Sequence, residues 1–265
     1  FLANGAMTRP GPLPERKLDA PLRTNGRGGG RWTEAASFAE GRLPGPLTPV
    51  TIEPGDNLVF DGRGAVPHAA GWTVSKGGIR TFAAGPHALV VQGDVRIEQG
   101  GRVTLTPGAA LKIDCPQFSR QYGITLAGRL EAAGTSPQAR DCAVGALVAD
   151  GRHGTFINAA NGRQGGSSGF LRNCELDECD MTIPDGSFVL TGSRVRNAKL
   201  NMQVADVVSN EFEGCALRLS AHTFSDNRLQ AGYAALSSRI TRNNRFERLG
   251  RSLWLSCAEF TGNGY

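Results

Sequence analysis

The sequence predicts an all-β fold, a single-stranded right-handed parallel β-helix that follows an irregular N-terminal arm. Three observations favour this fold. Glycine is abundant, at 36 of 265 residues, whereas aromatic residues make up only 7%. Short segments alternate apolar and polar residues and end at turns that contain glycine, which is typical of short strands with one buried face. The second half repeats a short pattern with a period close to 17 residues, as stacked coils of a solenoid do.

The first 45 residues differ in composition from the rest of the chain. Proline and glycine clusters lie among scattered charges, and there is little apolar periodicity. This composition predicts an extended arm or tether over residues 1–45, with the β-helix occupying residues 46–265. We expect Trp32 and Phe38 to anchor the end of the arm to the body of the protein.

The first coils begin near residue 50. Pairs of apolar residues six positions apart bracket a glycine-containing turn at Ile52 to Leu58, at Ile97 to Val103 and at Leu105 to Leu111. Alternation continues on both sides of these turns, so each bracket predicts two short strands joined at a corner.

The later coils follow a stricter pattern, an apolar residue, two variable positions, a small polar residue, one variable position and a second apolar residue. The fourth place of this frame is occupied by Cys174, Ser193, Asn210, Asn227, Asn244 and Asn263. A second strand follows each frame, and its apolar positions include Leu200 and Met202, then Leu217 and Leu219. This spacing predicts which residues stack from coil to coil.

Several segments resemble known β-helix proteins. The stretch from VVQGDV at 90–95 to GRLEAAGT at 128–135 resembles the opening coils of secreted right-handed β-helix repeat proteins. The later coils resemble the repeat region of the pectate-lyase-like superfamily, and residues 41–61, GRLPGPLTPVTIEPGDNLVFD, resemble the entry segment of G8-type extracellular domains. The resemblance covers residues 41–265 and implies a fold, whereas the superfamily's Asn-Thr-Asp, Asp-Asp and Gly-His-Gly signatures do not occur in this sequence.

Two sets of polar residues have a structural interpretation. The fourth-place asparagines are expected to form a stacked ladder at a turn, where asparagine tolerates left-handed backbone geometry. One place later, Glu175, Arg194, Glu211, Arg228 and Arg245 form a column in which the charge alternates over most coils. A parallel column holds Asp177, Arg196, Glu213, Gln230 and Glu247. Both columns predict ion pairs that set the register of the coils.

Four carboxylates are the best candidates for a metal site. Glu175, Asp177, Glu178 and Asp180 lie within six residues. The resemblance to pectate-lyase-like enzymes implies that such a group on a coil face holds Ca²⁺, and carboxylate pairs also perform acid–base chemistry. The alternative is that Glu175 and Asp177 pair with the arginines one coil further on.

The second candidate is a ligand-binding site on the outward face of the second strand, at the positions between its apolar residues. There the column Thr182, Asn201, Arg218, Ala235 and Trp254 is predicted to point outward. Trp254 offers an aromatic surface for a sugar ring, and Arg218 offers a cation for an acidic group. Arg242 and Arg251 complete the predicted ligand-binding set, for which ordinary surface or contact with another subunit is the alternative.

The six cysteines have no zinc-type spacing. Cys179 and Cys215 occupy the same place in coils two apart, about 9–10 Å, which exceeds the reach of a disulfide. A bridge between Cys115 and Cys142 is the remaining option, and we expect mostly free, buried thiols.

These observations support two functional classes. The first is a non-catalytic extracellular or particle-surface protein with a structural or adhesive role, in contact with polysaccharide. The second is a polysaccharide lyase or glycoside hydrolase of the pectate-lyase-like superfamily. A partner chain is expected at the last coil or at the N-terminal arm, and a homo-oligomer is one form of this contact. The net charge of +5 is compatible with an acidic partner but is common on protein surfaces, and we predict neither nucleic acid nor a membrane span among its contacts. The expected location is extracellular or at the cell surface, with a viral particle as the alternative.

Overall fold

The computed structural model describes residues 17–62, 68–85, 87–150, 152–159, 167–184, 187–248 and 252–265. These residues form β-strands and one short 3₁₀ helix, Ala35–Ser37. The strands are β1 Leu22–Arg23, β2 Gly30–Arg31, β3 Val50–Ile52, β4 Asn57–Phe60, β5 His68–Ala69, β6 Trp72–Val74, β7 Ile79–Phe82, β8 Leu89–Val91, β9 Val95–Ile97, β10 Arg102–Leu105, β11 Ala110–Ile113, β12 Ile124–Leu126, β13 Arg129–Ala133, β14 Cys142–Ala146, β15 Thr155–Ala159, β16 Ser168–Arg172, β17 Cys174–Asp177, β18 Cys179–Ile183, β19 Phe188–Thr191, β20 Arg194–Arg196, β21 Lys199–Val208, β22 Glu211–Ser225, β23 Arg228–Arg242, β24 Arg245–Glu247 and β25 Leu253–Thr261.

The strands stack in parallel into three faces. Except at the two ends, each strand pairs with the strand about one coil earlier and with the strand about one coil later, and all of these described strand pairings are parallel. The first face contains β1, β3, β6, β9, β12, β15 and β18, the second β2, β4, β7, β10, β13, β16 and β19, and the third β5, β8, β11, β14, β17 and β20. From residue 199 onward long strands run through more than one face, since β21 and β25 each span two faces and β22 and β23 span all three. The predicted all-β fold of stacked parallel coils is confirmed.

One apolar core runs along the inside of the solenoid. In β10, Val103 and Leu105 are buried whereas Arg102 is exposed, which is the alternation that the sequence predicted. Each inward aliphatic side chain packs on its equivalents in the coils above and below. Burying one such side chain contributes about 1.5–3 kcal/mol, so the column of inward residues holds the coils together.

The N-terminal segment enters the solenoid earlier than the sequence indicated. Within the predicted arm, β1 pairs with β3 and β2 pairs with β4, both in parallel. Leu22 is buried, and the rings of Trp32 and Phe38 meet edge to face with centroids 6.1 Å apart in the core. The expected anchoring by Trp32 and Phe38 is therefore confirmed, and a first coil lies inside the segment 1–45. Residues 1–16 of the predicted arm lie outside the described residues.

Glycines stack at the corner between the first and second faces. Gly55, Gly77 and Gly100 have φ angles of +83°, +80° and +80°, a conformation that side chains disfavour. The N–H of Gly55 donates to the carbonyl of Gly77 at 3.1 Å, and that of Gly77 donates to the carbonyl of Gly100 at 3.0 Å. Two of the glycine-containing turns identified in the sequence, those at Gly55 and Gly100, thus belong to one hydrogen-bonded column.

A fully buried arginine occupies a core position near the N-terminal end. Arg80 points inward between Leu58 and Val103 on the neighbouring coils. Its guanidinium lies 4.5 Å from the ring centroid of Trp32 and 5.0 Å from that of Phe82, and Nη1 donates to the carbonyl of Leu58 at 3.1 Å. Burial lowers the pKa of Arg80 to about 9. The alternation Arg80-Thr81-Phe82 could have indicated this inward position.

Candidate functional site

The asparagine ladder is present at the turn into the third face. Asn210, Asn227 and Asn244 are each 1% exposed. The backbone N–H of Asn210 donates to Oδ1 of Asn227 at 2.9 Å, and Asn227 repeats this bond to Asn244 at 3.0 Å. Ser193 joins the ladder through its own N–H, and its hydroxyl accepts from the N–H of Cys174 at 3.1 Å. The predicted structural role of these residues is confirmed.

One detail of the ladder prediction was wrong. The left-handed backbone belongs to the residue before each ladder asparagine, with φ of +58° at Ser209, +58° at Asp226 and +53° at Asn243. This geometry turns the chain so that the following asparagine side chain points inward, where it meets backbone groups of the neighbouring coils.

The charge columns lie on the third face in the register that the sequence predicted. Glu175 lies opposite Arg194, and Arg194 lies opposite Glu211. Arg194 contacts Glu211 at 2.9 Å and Glu175 at 3.4 Å. Arg140, from the loop after β13, also contacts Glu211 at 2.9 Å. These hydrogen bonds, first that of Arg140 and then that of Arg194, lower the pKa of Glu211 to about 2.

The four carboxylates of the predicted calcium site do not converge. Glu175 and Asp177 lie on the third face, and Asp177 contacts Arg196 at 2.5 Å. Asp180 lies on the first face, where it pairs with Arg120 and accepts from the N–H of Lys199 at 2.8 Å. Glu178 is in the buried turn between the two faces. The described residues contain no group of three or more His, Cys, Asp or Glu side chains that could hold a metal ion. The calcium prediction fails here because the chain turns a corner within the cluster.

The predicted ligand-binding column is in register on the first face. Thr182 lies opposite Asn201, Asn201 opposite Arg218, Arg218 opposite Ala235, and Ala235 opposite Trp254. In β21 the residues on either side of Asn201, Leu200 and Met202, are buried whereas Asn201 is exposed, so the column points to solvent.

A depression lies around the small residue of this column. Ala235 sits between the long side chains of Arg218 and Trp254, and the recess has a volume of about 330 Å³. We call it the Arg218–Trp254 notch. Its floor includes the edges of Leu219 and Leu236. One wall is a column of hydroxyl groups formed by Ser220, Ser237 and Ser256.

The notch combines an aromatic surface with an available cation. Trp254 is 69% exposed, whereas large aromatic side chains are usually covered. Arg218 is exposed and forms no salt bridge with a described residue, in contrast to Arg194 and Arg196 on the third face. A flat apolar ring, a guanidinium and several hydroxyl groups suit a polar ligand that has both apolar faces and acidic groups.

Among the described residues of the predicted ligand-binding set, Arg242 does not line the notch. Arg242 is exposed at the end of β23 on the second face, where it lies opposite Thr261, because the strand bends after Ser238. Arg251 lies outside the described residues. Asn201, Arg218 and Trp254 are the members of the predicted set that line the notch.

A second depression, which the sequence analysis missed, adjoins the notch. It has a volume of about 270 Å³, lies around Ala216 and is bordered by Lys199, Arg218 and Tyr233. Lys199, Ala216 and Tyr233 form a column two residues before the notch column. The same outward parity identifies these residues in the sequence. The surface therefore extends over several coils with two cations and two aromatic rings.

The cysteine predictions are partly confirmed. All six thiols are free, and all except that of Cys257 are buried. The Cys115–Cys142 option was wrong, because Cys115 contacts the carbonyl of Tyr122 at 3.5 Å whereas Cys142 lies opposite Cys174.

The architecture defines the chain as a parallel β-solenoid with a notched first face. No protein-family model matches the sequence, and no curated protein or solved structure shows significant similarity to it. No helix in the described part of the chain is long and apolar enough to cross a membrane.

Proposed function

We propose that this protein is a non-catalytic rod of the extracellular space, the cell surface or a particle surface, and that it has a structural or adhesive role in which its first face binds an acidic polysaccharide. The observation that carries the proposal is the Arg218–Trp254 notch, where an exposed indole and a guanidinium that forms no salt bridge with a described residue flank a small residue.

The dimensions of the solenoid support a linear ligand. Adjacent coils are about 4.8 Å apart, so Arg218 and Trp254, two coils apart, are separated by about 10 Å along the axis. A sugar ring stacked on Trp254 places the acidic group of a nearby sugar within reach of Arg218. Lys199, one coil beyond Arg218, then offers a second cation to the same chain.

The character of the surrounding residues supports binding of an acidic ligand. In the stretch from Lys199 to Ser256, the outward first-face positions of the notch and the adjoining depression carry Lys199 and Arg218 but no carboxylate. The serine column supplies hydroxyl groups that donate to and accept from sugar hydroxyls.

The position of the carboxylates favours binding over catalysis. Glu175 and Asp177, which the lyase or hydrolase alternative would use, are engaged by Arg194 and Arg196 on a different face from the notch. The titratable side chains that line the notch and the adjoining depression are those of Lys199, Arg218 and Tyr233, so a reaction there would proceed without the carboxylates. The enzymatic alternative is therefore an outcome of the test below.

Affinity electrophoresis in gels that contain polygalacturonate, with dextran as the neutral comparison, tests the proposal. We expect retardation in polygalacturonate alone. Trp254→Ala and Arg218→Ala should each weaken binding about tenfold or more, as aromatic and arginine anchors at binding surfaces do. Salt should weaken binding further, because part of the attraction is electrostatic.

Matched controls separate the notch from general surface charge. Arg242→Ala removes an exposed arginine from the second face, and Phe260→Ala removes an aromatic side chain that is 41% exposed there. Both variants should bind like the unaltered chain. Equal losses in Arg242→Ala and Arg218→Ala would contradict the proposed site. Accumulation of unsaturated or reducing-end products during incubation with polygalacturonate would replace the proposal with the enzymatic alternative.

A further inference from the structure

Two cysteines face each other across adjacent coils of the third face. Cys142 begins β14, Cys174 begins β17, and the two residues are register partners in the parallel ladder. Both are fully buried. They precede Ser193 in the column that continues as the asparagine ladder, so their position is fixed by the coil-to-coil register on either side.

The separation of these residues suits a disulfide bond. Register partners on adjacent strands are about 4.8 Å apart, and the Cα atoms of disulfides are usually about 4.4–6.8 Å apart. The Cys142 thiol therefore has a second buried thiol, that of Cys174, as its neighbour on the next coil. Two other buried cysteines lack such a partner, because Cys179 lies opposite Thr155 and Cys115 contacts a carbonyl.

We propose that Cys142 and Cys174 are a modification site, at which a disulfide bond joins two coils when the chain folds in the presence of a small-molecule disulfide such as oxidised glutathione. The thiolate of one cysteine attacks the glutathione disulfide and releases one glutathione thiolate. The thiolate of the other cysteine then attacks the protein sulfur of the mixed disulfide and releases the second glutathione. Two protein thiols are oxidised, one glutathione disulfide is reduced, and the two protons pass to the released thiolates.

The packing of the pair sets when the bond forms. The adjacent Cys174 thiol and burial both raise the pKa of the Cys142 thiol, so the reactive thiolate is scarce in the folded protein. A buried pair is also closed to glutathione. The bond therefore forms during folding, whereas the protein that has folded in the reduced state resists oxidation.

The experiment refolds the full chain from denaturant in oxidised and reduced glutathione, blocks free thiols with iodoacetamide in denaturant, and maps the peptides by mass spectrometry. We expect a linked peptide that contains Cys142 and Cys174, together with four alkylated cysteines. The link closes a loop between residues 32 positions apart, so the oxidised protein should melt about 10 °C higher than the reduced protein. The same treatment of protein that has already folded in the reduced state should leave six alkylated cysteines.

Two variants serve as controls. Cys257→Ser removes the partly exposed cysteine and should leave the link intact. Cys174→Ser places a serine where the next coil has Ser193, and should abolish both the link and the difference in melting temperature. Six free thiols after oxidative refolding, or a link between Cys115 and Cys142, would overturn the proposal. The peptide map of the unaltered chain decides the question even where a variant fails to fold.

Discussion

The buried asparagine ladder predicts a large loss of stability from one substitution. Asn227 is 1% exposed, and its Oδ1 accepts from the backbone N–H of Asn210 at 2.9 Å. Its Nδ2 donates to the carbonyl of Val207 at 2.9 Å and to Oδ1 of Asn244 at 3.0 Å. Asn227→Ala removes all of these bonds and leaves the N–H of Asn210 buried without this acceptor.

The magnitude follows from the groups that lose their partners. An orphaned buried N–H costs about 1–3 kcal/mol, and each further hydrogen bond contributes about 1 kcal/mol. Asn227→Ala should therefore lower the free energy of unfolding by about 3–5 kcal/mol. Asn227→Ser should lose about half as much, because a serine at the equivalent place, Ser193, accepts from the backbone N–H of Cys174 on the preceding coil.

Guanidinium unfolding followed by circular dichroism measures this difference. Asn243→Gly is the matched control, because Asn243 is exposed in the same kind of turn and has a φ angle of +53°, which glycine adopts readily. We expect the control to change the free energy of unfolding by less than about 1 kcal/mol. A loss below about 1 kcal/mol in Asn227→Ala, or equal losses in both variants, would refute the view that the ladder holds the coils together.

Three further predictions concern other parts of the solenoid. Arg80→Met should raise the free energy of unfolding, measured in guanidinium at neutral pH, by about 1–3 kcal/mol, because a buried cation is replaced by an apolar side chain of similar length. This gain should shrink above pH 9, where the folded protein releases the Arg80 proton before the unfolded chain does. A loss of stability at neutral pH would show that the attraction of the surrounding rings outweighs the cost of burying the charge. Arg140→Ala should flatten the pH dependence of stability, since the depressed pKa of Glu211 gives stability that is present above pH 4.5 and lost as the pH falls towards 2. After allowance for solvent screening, the unaltered protein should lose about 1–2 kcal/mol more stability than the variant between pH 5 and pH 2.5. Parallel pH profiles of the two proteins would contradict this prediction. Gly77→Ala should lower the melting temperature through about 1–2 kcal/mol of backbone strain, since its φ angle is +80°, and Gly77→Asn should lose less; equal losses would point to a steric cause.

The stacking of residues in the later coils could be predicted from the sequence because the period of these coils is nearly constant. A spacing of 17 to 19 residues places Arg218 beside Ala235, and Ala235 beside Trp254, without reference to coordinates. The notch then follows from side-chain size, because a small residue lies between two large ones. The charge columns were predictable for the same reason.

The other features of the fold and the site could not be predicted, because the repeat period gives no information about them. The earlier coils are longer, so that Leu111 pairs with Val144, 33 residues later. The 17-residue period therefore gives no indication that Cys142 lies opposite Cys174. The first coil was missed because β1 and β2 have only two residues each, too few for alternation to be recognised. The acidic cluster was misjudged because the corner between Asp177 and Asp180 directs its members to different faces.

The most direct test of polysaccharide binding at the notch uses the exposed tryptophan as its own probe. Trp254 is 69% exposed, whereas Trp32 and Trp72 are 4% and 2% exposed, so quenching of fluorescence by acrylamide reports on Trp254. Saturating polygalacturonate should reduce the quenching constant by about half or more, dextran should leave it unchanged, and Trp254→Phe should remove the effect. Unchanged quenching in the presence of polygalacturonate, or protection that persists in Trp254→Phe, would contradict binding at the Arg218–Trp254 notch.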